Sequence, residues 1–357
     1  MTDKLNIAYH MPSIYTIYAQ RTIYNGFKNA FLSLGHNFYT FTSDYNLERF
    51  LEEKEINVFI TCSHHYYQKY LDFKLMKKYR DRGMKLFTKI DFWNSPFKKS
   101  NLNGVRSMKD DRKTVRLIKD GLLGDAFFHV VEHGDYRMDG FERETGYRYY
   151  TIPLAADKTL MSQDISNEFL ADISYIGTNS SQKRHYFKEY VYPLRNEYYL
   201  RLYGQDWTLN DRLFGYVQRA GQYFNIPYAR SFQKAKLNIE DEPKIYSSSK
   251  ISINLHEEQQ RKYGGDCNER TFKIPLYGGF EITDDVVCIR KYFKDGQEII
   301  IAKDRKDWFE KIDYYIRNLD ERNSIIKSGR NKVLENHTYH NRANLIIKIY
   351  KNLVGCS

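Results

Sequence analysis

Residues 5–42 read LNIAYHMPSIYTIYAQRTIYNGFKNAFLSLGHNFYTFT, and two hydrophobic periodicities alternate within them. The apolar runs at residues 5–9 and 37–42 predict β-strands. Between them, apolar residues recur at helical spacing from Ile23 to Leu34, and Gly35 follows as a helix stop. A strand, a helix and a second strand in this order predict a parallel βαβ unit with a right-handed crossover.

The same alternation continues along the chain. Further strands are predicted at 57–62, 85–91 and 127–131, with a short strand and a loop at 151–157. After the polar segment 162–168, a second series of strands is predicted at 172–177, 200–204, 250–255, 279–283 and 298–302, then a helix from residue 306 and a final helix at 339–353. We therefore predict an α/β protein with two Rossmann-like domains facing each other across a cleft, residues 1–160 and 161–357. The last helix could pack back on the first domain.

Composition narrows the class of protein. A chain of 357 residues suits two domains that each bury a sheet, and its net charge of +11 favours anionic partners such as nucleotide diphosphates, nucleic acid or an anionic envelope surface. The four cysteines lie far apart without a CxxC pair, which predicts neither a zinc site nor a disulfide framework. The sequence begins without an apolar leader and contains no apolar run of membrane-spanning length, so we expect a cytoplasmic protein without integral membrane contact.

The loop after the predicted strand 172–177 is a candidate phosphate site. It reads IGTNSSQKR at residues 176–184, where small residues and backbone N–H groups could cradle a diphosphate and Lys183 and Arg184 could add positive charge. An ordinary loop with a solvated basic pair fits the same residues.

Residues 268–284, NERTFKIPLYGGFEITD, resemble the C-terminal domain of the CgeB-type glycosyltransferases, a group named for a spore maturation protein. Further landmarks of that family follow its order: YIG at 175–177, LYG at 202–204 with Trp207, SKISINLH at 249–256 and HTYHNRA at 337–343. The resemblance covers about residues 171–357. It implies a fold of the GT-B type and metal-independent, retaining transfer of a sugar from a nucleotide-sugar to an acceptor glycan or protein, with a UDP-sugar favoured and no further cofactor.

By this resemblance, the donor lies against the C-terminal domain, and we expect Arg270, Lys183 or Arg184 to assist departure of the nucleoside diphosphate. Lys273 stands where many family members carry a glutamate for the donor ribose, and Glu269, about one helical turn earlier, could take over that role. The candidate donor residues are Gly177, Thr178, Asn179, Lys183, Arg184, Tyr203, Gly204, Asn254, His256, Glu269, Thr271, Phe272, Lys273 and Asp284.

The first half resembles the family only in its pattern of strands and helices. Asp91 follows a predicted strand, begins the run DFWNSP and somewhat resembles an aspartate-proline signature of the family; it could act as a general base, with a loop cap as the structural alternative. His133 follows the fifth predicted strand, and Asp91, His133 and Arg270 are the candidate catalytic groups. The candidate acceptor residues are His64, His65, Trp93, Lys98, Lys99 and Arg106.

Two alternatives remain open at this point. The basic bias of residues 98–119 and the net charge would suit DNA as acceptor, in a transferase that modifies a base, although a solvated loop and helix face explain the same residues. Lys273 in place of an acidic donor contact would suit a catalytically degenerate protein that binds a nucleotide or glycan.

Overall fold

Two parallel β-sheets organise the chain in the computed structural model, which describes residues 4–96, 107–162 and 164–355. The first sheet contains β1 (Asn6–His10), β2 (Asn37–Phe41), β3 (Val58–Cys62), β4 (Lys85–Lys89), β5 (Ala126–His129) and β6 (Tyr149–Thr151). The second contains β7 (Ala171–Ile176), β8 (Leu200–Tyr203), β9 (Ser249–Asn254), β10 (Glu281–Asp284) and β11 (Ile300–Ala302).

All strand pairings within the two sheets are parallel, and their orders are β2-β1-β3-β4-β5-β6 and β11-β10-β9-β7-β8. In parallel sheets every strand ends at the same edge, so the residues after the strands gather there. The strands are short, and inner strands such as β3 and β5 are almost fully buried on both faces, as helix-covered parallel sheets require, whereas the edge strands β2, β6 and β8 are only partly buried.

The helices between the strands are α1 (Ala19–Ser33), α2 (Leu47–Lys54), α3 (His65–Gln68), α4 (Phe73–Arg80), α5 (Arg112–Lys119), α6 (Phe141–Thr145), α7 (Arg184–Tyr186), α8 (Leu209–Tyr223), α9 (Glu242–Ser248), α10 (Glu258–Tyr263), α11 (Arg270–Leu276), α12 (Ile289–Tyr292), α13 (Arg305–Arg317), α14 (Leu319–Asn336) and α15 (Tyr339–Leu353). α7 continues into a π-helical turn (Phe187–Val191) and a 3-10 turn (Tyr192–Asn196). Other 3-10 turns are Met108–Asp110, Tyr136–Met138, Lys158–Leu160, Asn167–Phe169 and Ile239–Asp241. Among the described residues, no helix combines the length and the apolarity needed to cross a bilayer.

The predicted fold class is confirmed, and the final helix has the predicted bounds. Several predicted strands differ at their ends by one or two residues, among them 85–91, 127–131 and 298–302, which run as Lys85–Lys89, Ala126–His129 and Ile300–Ala302. The short strand expected within residues 151–157 lies earlier, at Tyr149–Thr151. The strand predicted from residue 279 begins at Glu281, because the N–H of Gly279 still bonds to the carbonyl of Ile274 and closes α11.

The last helix, α15, packs on the helix α1 of the first sheet. Tyr339, Ala343 and Ile346 join the apolar core beneath β1 and β3. The ring of Tyr339 lies over Gly26 so closely that a Cβ atom built on Gly26 would stand 2.1 Å from a ring carbon. A glycine is therefore required here for the close approach of the two helices.

We expect Gly26→Ala to lower the free energy of unfolding by about 1–3 kcal/mol, because the added methyl overlaps the Tyr339 ring. Helix propensity alone would instead raise the free energy of unfolding by up to about 1 kcal/mol. The sign of the measured change therefore shows whether the overlap with Tyr339 is the larger effect. Urea denaturation measures the change, and Ser33→Ala, an exposed position in the same helix, serves as the control. A more stable Gly26→Ala protein would contradict this packing.

Candidate functional site

The carboxyl ends of β7 and β8 meet at two glycines. Gly177 sits on Tyr175, where a Cβ would stand 2.7 Å from the phenol oxygen, and Gly204 adopts φ +113° with its Cα facing the backbone of Gly177. The N–H of Gly177 donates to the carbonyl of Tyr203 at 2.9 Å, and the indole N–H of Trp207 donates to the carbonyl of Gly177 at 3.1 Å. This bonding fixes the start of the loop 177–183, which crosses the edge of the second sheet.

Two cationic side chains converge on Tyr175. The ammonium of Lys183, a buried residue, donates to the Tyr175 hydroxyl at 3.2 Å, and the Arg270 guanidinium lies 5.3 Å from the centre of the Tyr175 ring. Within the described ranges, neither cation has a carboxylate at ion-pair distance. Two cations that have no carboxylate partner are suited in charge to an anion.

A network of neutral groups holds Arg270. Its Nε donates to Oδ1 of Asn254 at 3.0 Å, and one terminal nitrogen donates to the carbonyl of Leu255 at 3.0 Å. Asn254 in turn receives a hydrogen bond from Asn268 at 2.9 Å and donates to Glu281 at 2.8 Å. Asn254, at the end of β9, is therefore a positioning residue for Arg270 and is itself fully buried.

Glu281, which begins β10, is the acidic group of this network. Burial raises the pKa of Glu281 to about 8, against smaller opposing effects of Asn254 and Arg270. The carboxyl is therefore largely protonated near neutral pH and does not neutralise the two cations. The positive charge at Tyr175 remains available to a ligand.

The loop 177–183 and the start of α7 contain buried polar atoms that have no hydrogen-bond partner in the described structure. They are Oδ1 of Asn179, Oγ of Ser180, Oε1 of Gln182 and Nε of Arg184. Buried polar atoms are normally paired, and several orphaned atoms in one loop indicate that it pairs with a ligand or with water. The predicted donor residues Gly177, Thr178, Asn179, Lys183 and Arg184 thus lie together.

His256 and Asp284 connect the ends of β9 and β10. The imidazole Nδ1 of His256 lies 2.7 Å from Asp284, and its Nε2 lies 3.2 Å from the Thr271 hydroxyl on α11. Burial would raise the pKa of Asp284, but His256 and Arg261 outweigh it and the pKa is lowered. His256, Thr271 and Asp284 are all predicted donor residues and are fully buried, and their contacts join the ends of β9 and β10 to α11.

Other predicted donor residues have different surroundings. Phe272 is wholly buried in the apolar core against Tyr292 and Phe293, so its prediction as a donor contact is corrected: the side chain points away from the cleft. Tyr203 is half-buried, with Phe169 edge-on to its ring. Its hydroxyl lacks a described partner, and Gly204 follows it at the glycine contact.

Lys273 and Glu269 are engaged within the chain. Lys273 forms an ion pair with Glu242 at the start of α9, and both side chains are buried. Glu269 accepts hydrogen bonds from Thr22 of α1 at 2.5 Å and from the hydroxyl of Tyr339. Each Glu269 oxygen thus accepts a hydrogen bond within the chain, and Glu269 links the two halves; its role as a ribose contact stays a prediction.

On the first sheet, Asp91, His64 and His65 lie together where β3 and β4 end. The N–H of Asp91 donates to the Ser63 hydroxyl at 2.9 Å, and the two histidine rings lie 4.2 Å apart. Burial raises the pKa of Asp91, and the nearby His64 and Lys89 oppose that rise. The three side chains line an open depression together with Arg112 and Lys113 of α5.

Trp93 and His133 do not join this group. Trp93 is buried with its ring edge-on to Phe141 and its indole N–H 3.3 Å from Glu144, so its prediction as an acceptor contact is corrected. His133 stacks on Tyr149 of the edge strand β6, with centroids 4.2 Å apart, and no described contact joins it to Asp91 or Arg270. Lys98, Lys99 and Arg106 lie outside the described residues.

Sequence reasoning missed several residues of the site and its surroundings. Tyr175 was noted only as a family landmark, and Glu281 only as part of a strand. Arg137 was missed altogether: it is fully buried and pairs with Asp135 at 2.8 Å and with Asp266 of the second half at 2.6 Å. The run DYR at residues 135–137 carries a local acid-base signal, but its partner Asp266 is far away in sequence.

No group of three or more histidine, cysteine or acidic side chains suited to a metal ion occurs within the residues described.

With this geometry in place, comparison with known proteins becomes informative. The family described as glycosyl transferase-like matches residues 184–348, slightly less than half of the chain. No curated protein matches the sequence significantly. The matched residues include β8 to β11 and most of α15, and so contain Arg270 and its supporting network.

Several solved structures share the whole fold. A glycosyltransferase from Rickettsia africae ESF-5 has a TM-score of 0.63 at 13% identity, with 99% of this chain and 100% of that chain covered. An alpha-glucosyltransferase in complex with UDP and a 13-mer DNA containing a central A:G mismatch has a TM-score of 0.64 at 12% identity, with coverage of 98% and 100%. The catalytic domain of starch synthase IV from Arabidopsis thaliana, bound to ADP and acarbose, has a TM-score of 0.64 at 9% identity, with coverage of 99% and 100%.

These neighbours confirm the GT-B fold. Together with the family match, they support the enzyme class predicted from the sequence, a glycosyltransferase. The narrower CgeB-type assignment stays a prediction.

The raised pKa of Glu281 makes stability depend on pH. Between the ordinary glutamate pKa and about 8, the unfolded chain has lost this proton and the folded chain keeps it, so the free energy of unfolding falls as pH rises. We expect Glu281→Gln to remove that decline. Its side-chain oxygen can still accept the hydrogen bond from Asn254, but the side chain cannot ionise. Relative to the variant, the free energy of unfolding of wild type should fall by a few kcal/mol between about pH 5 and pH 8, at about 1.4 kcal/mol per pH unit.

Urea unfolding of both proteins at the two pH values measures this difference. Equal pH dependence of wild type and Glu281→Gln would show that Glu281 is ionised in the folded protein.

Proposed function

We propose that this protein transfers a sugar from a nucleotide-sugar, with a UDP-sugar favoured, to an acceptor held by the first domain. The proposal rests on two cations, Lys183 and Arg270, which both lie beside Tyr175 and lack carboxylate partners among the described residues. In this proposal residues 161–357 form the donor domain and residues 1–160 the acceptor domain.

The charge of the site suits a nucleoside diphosphate leaving group. Lys183 and Arg270 would face the two phosphates and offset the negative charge that grows as the bond to the sugar breaks. The orphaned polar atoms of the loop 177–183 would supply further hydrogen bonds to the donor. One structural neighbour was solved with UDP and another with ADP, which supports a nucleotide donor.

The proposal needs neither a metal ion nor a further cofactor, because the two side-chain cations already match the charge of the diphosphate. It includes retention of the anomeric configuration, which rests on the family resemblance. Slow hydrolysis of the donor tests both points: EDTA should leave the rate unchanged, and NMR before mutarotation should show release of the donor's own anomer. Loss of activity in EDTA, or release of the opposite anomer, would refute the corresponding part.

Asp91 is the proposed acceptor-side base. Burial raises the pKa of Asp91, and a carboxylate at this position could accept the proton of the acceptor hydroxyl. It lies with His64 and His65 in the depression at the ends of β3 and β4. These groups would hydrogen-bond the acceptor hydroxyl that attacks the sugar.

A specific observation also favours DNA as the acceptor. Arg112, Lys113, Arg116 and Lys119 of α5 are exposed, and the first two line the depression that contains Asp91, together with the acidic Asp110 and Asp111. One structural neighbour was solved with a DNA duplex. A gel mobility shift with duplex DNA that weakens steeply with salt would support this acceptor, and absence of any shift at low salt would remove it.

The donor site is tested by thermal shift with UDP-, GDP-, ADP-, TDP- and CMP-sugars. We expect a UDP-sugar to raise the Tm of wild type, because a ligand of the folded state alone stabilises it. Lys183→Gln should weaken donor binding about tenfold or more, the effect of losing one charge-assisted hydrogen bond. Arg270→Lys should weaken it similarly, because the planar fork is lost while the charge is kept.

Lys188→Gln is the matched control, since Lys188 is exposed on the same helical segment. Equal loss in Lys188→Gln would mean that general surface charge, and not the Tyr175 site, binds the donor. Donor binding without hydrolysis or transfer would favour the catalytically degenerate alternative. No shift with any nucleotide would refute the donor site itself.

A further inference from the structure

Helix α8 carries its apolar side chains on its outer face. Leu209, Leu213 and Tyr216 are 77%, 60% and 59% exposed, and Val217 is exposed beside them. At 100° per residue, these four positions form one stripe along the helix. A helix on the surface of a globular domain normally turns such a stripe towards the core. In α8 the apolar stripe faces solvent instead.

The inner face of α8 is polar or small. Gln218 donates to the carbonyl of Tyr15 at 3.0 Å and accepts from the N–H of Gln233 at 2.5 Å. Gly215 packs where a Cβ would stand 2.6 Å from the Tyr18 hydroxyl, and Gly221 packs equally closely on Ala229. Because these contacts require small residues and buried amides, rotating the helix to bury its apolar stripe would break all of them.

The apolar surface continues beyond the helix. Phe224 and Tyr228 in the following turn are 68% and 92% exposed. We call the stripe on α8 together with these two residues the α8 surface. Contiguous exposed apolar surface of this kind marks an interaction site more often than it marks free protein surface.

The charges around the α8 surface distinguish between occupants. Arg212 and Arg219 flank the stripe on one side, and the Arg219 guanidinium lies 4.7 Å from the Tyr216 ring. The whole chain carries a net charge of +11, which disfavours a second copy as the occupant. Nucleic acid would match the arginines but not a stripe of leucine, valine and tyrosine.

We propose that the α8 surface lies on an anionic lipid bilayer. The apolar stripe enters the boundary between headgroups and acyl chains, and the flanking arginines contact lipid phosphates. Tyr66 donates to the carbonyl of Gln222 at 2.7 Å and Lys69 donates to that of Tyr223 at 2.6 Å. The bilayer would therefore lie beside α3 of the first domain. This proposal does not rest on the proposed enzymatic function.

Vesicle sedimentation of the full chain tests the proposal. Wild type should sediment with vesicles of equal parts phosphatidylcholine and phosphatidylglycerol, and less with phosphatidylcholine alone. Leu213→Glu should lower the partition coefficient into anionic vesicles about tenfold or more, because it removes an inserted side chain and adds a repelled charge. Leu319→Glu is the matched control, since Leu319 is 57% exposed at the start of α14, outside the α8 surface.

Leu213 is exposed, so the variant should fold, and an unchanged Tm checks this. The proposal is overturned if wild type does not sediment with anionic vesicles, or if Leu319→Glu loses as much binding as Leu213→Glu. It is also overturned if Leu213→Glu leaves vesicle binding intact and instead abolishes a dimer in sedimentation velocity or a complex with duplex DNA.

Discussion

One buried carboxylate, that of Glu269, joins the two halves of the molecule. It receives hydrogen bonds from Thr22 of α1 and from Tyr339 of α15, and it directly precedes α11. Burial raises its pKa, while these two hydroxyls and Lys273 act in the opposite direction. Arg270 is the next residue in the chain, so the contact that links the two halves lies directly beside the candidate site.

Local periodicity was sufficient to predict the two sheets, since each strand is an apolar run flanked by turn residues. It was also sufficient for α15. The apolar positions of this helix repeat along its whole length, and Thr338 caps its N-terminus. Lys183 and Arg270 could be selected as candidate cations from their loops. The convergence of Arg270 with Lys183 on Tyr175 could not be predicted, because Arg270 is distant in sequence from residues 175–183 and is brought to them through the pairing of β7 with β9.

The direction of a side chain was the least predictable property. An aromatic residue after a strand or at the start of a helix has the same sequence signal whether it lines a cleft or fills a core, and Trp93 and Phe272 both fill cores. Helix α8 is the opposite case, since its pattern is amphipathic but its glycines and amides, not its leucines, meet the protein. Only the tertiary contacts of these residues determine which face is covered.

The ion pair between Arg137 and Asp266 has a mechanical consequence. Arg137 is fully buried at the border between the two halves, and separating it from Asp266 would leave a buried charge partly uncompensated, at a cost of about 3–5 kcal/mol. Across the cleft, the Asp44–Arg230 pair is partly exposed and worth at most about 1 kcal/mol. Of these two ion pairs between the halves, Arg137–Asp266 therefore resists separation more strongly than Asp44–Arg230.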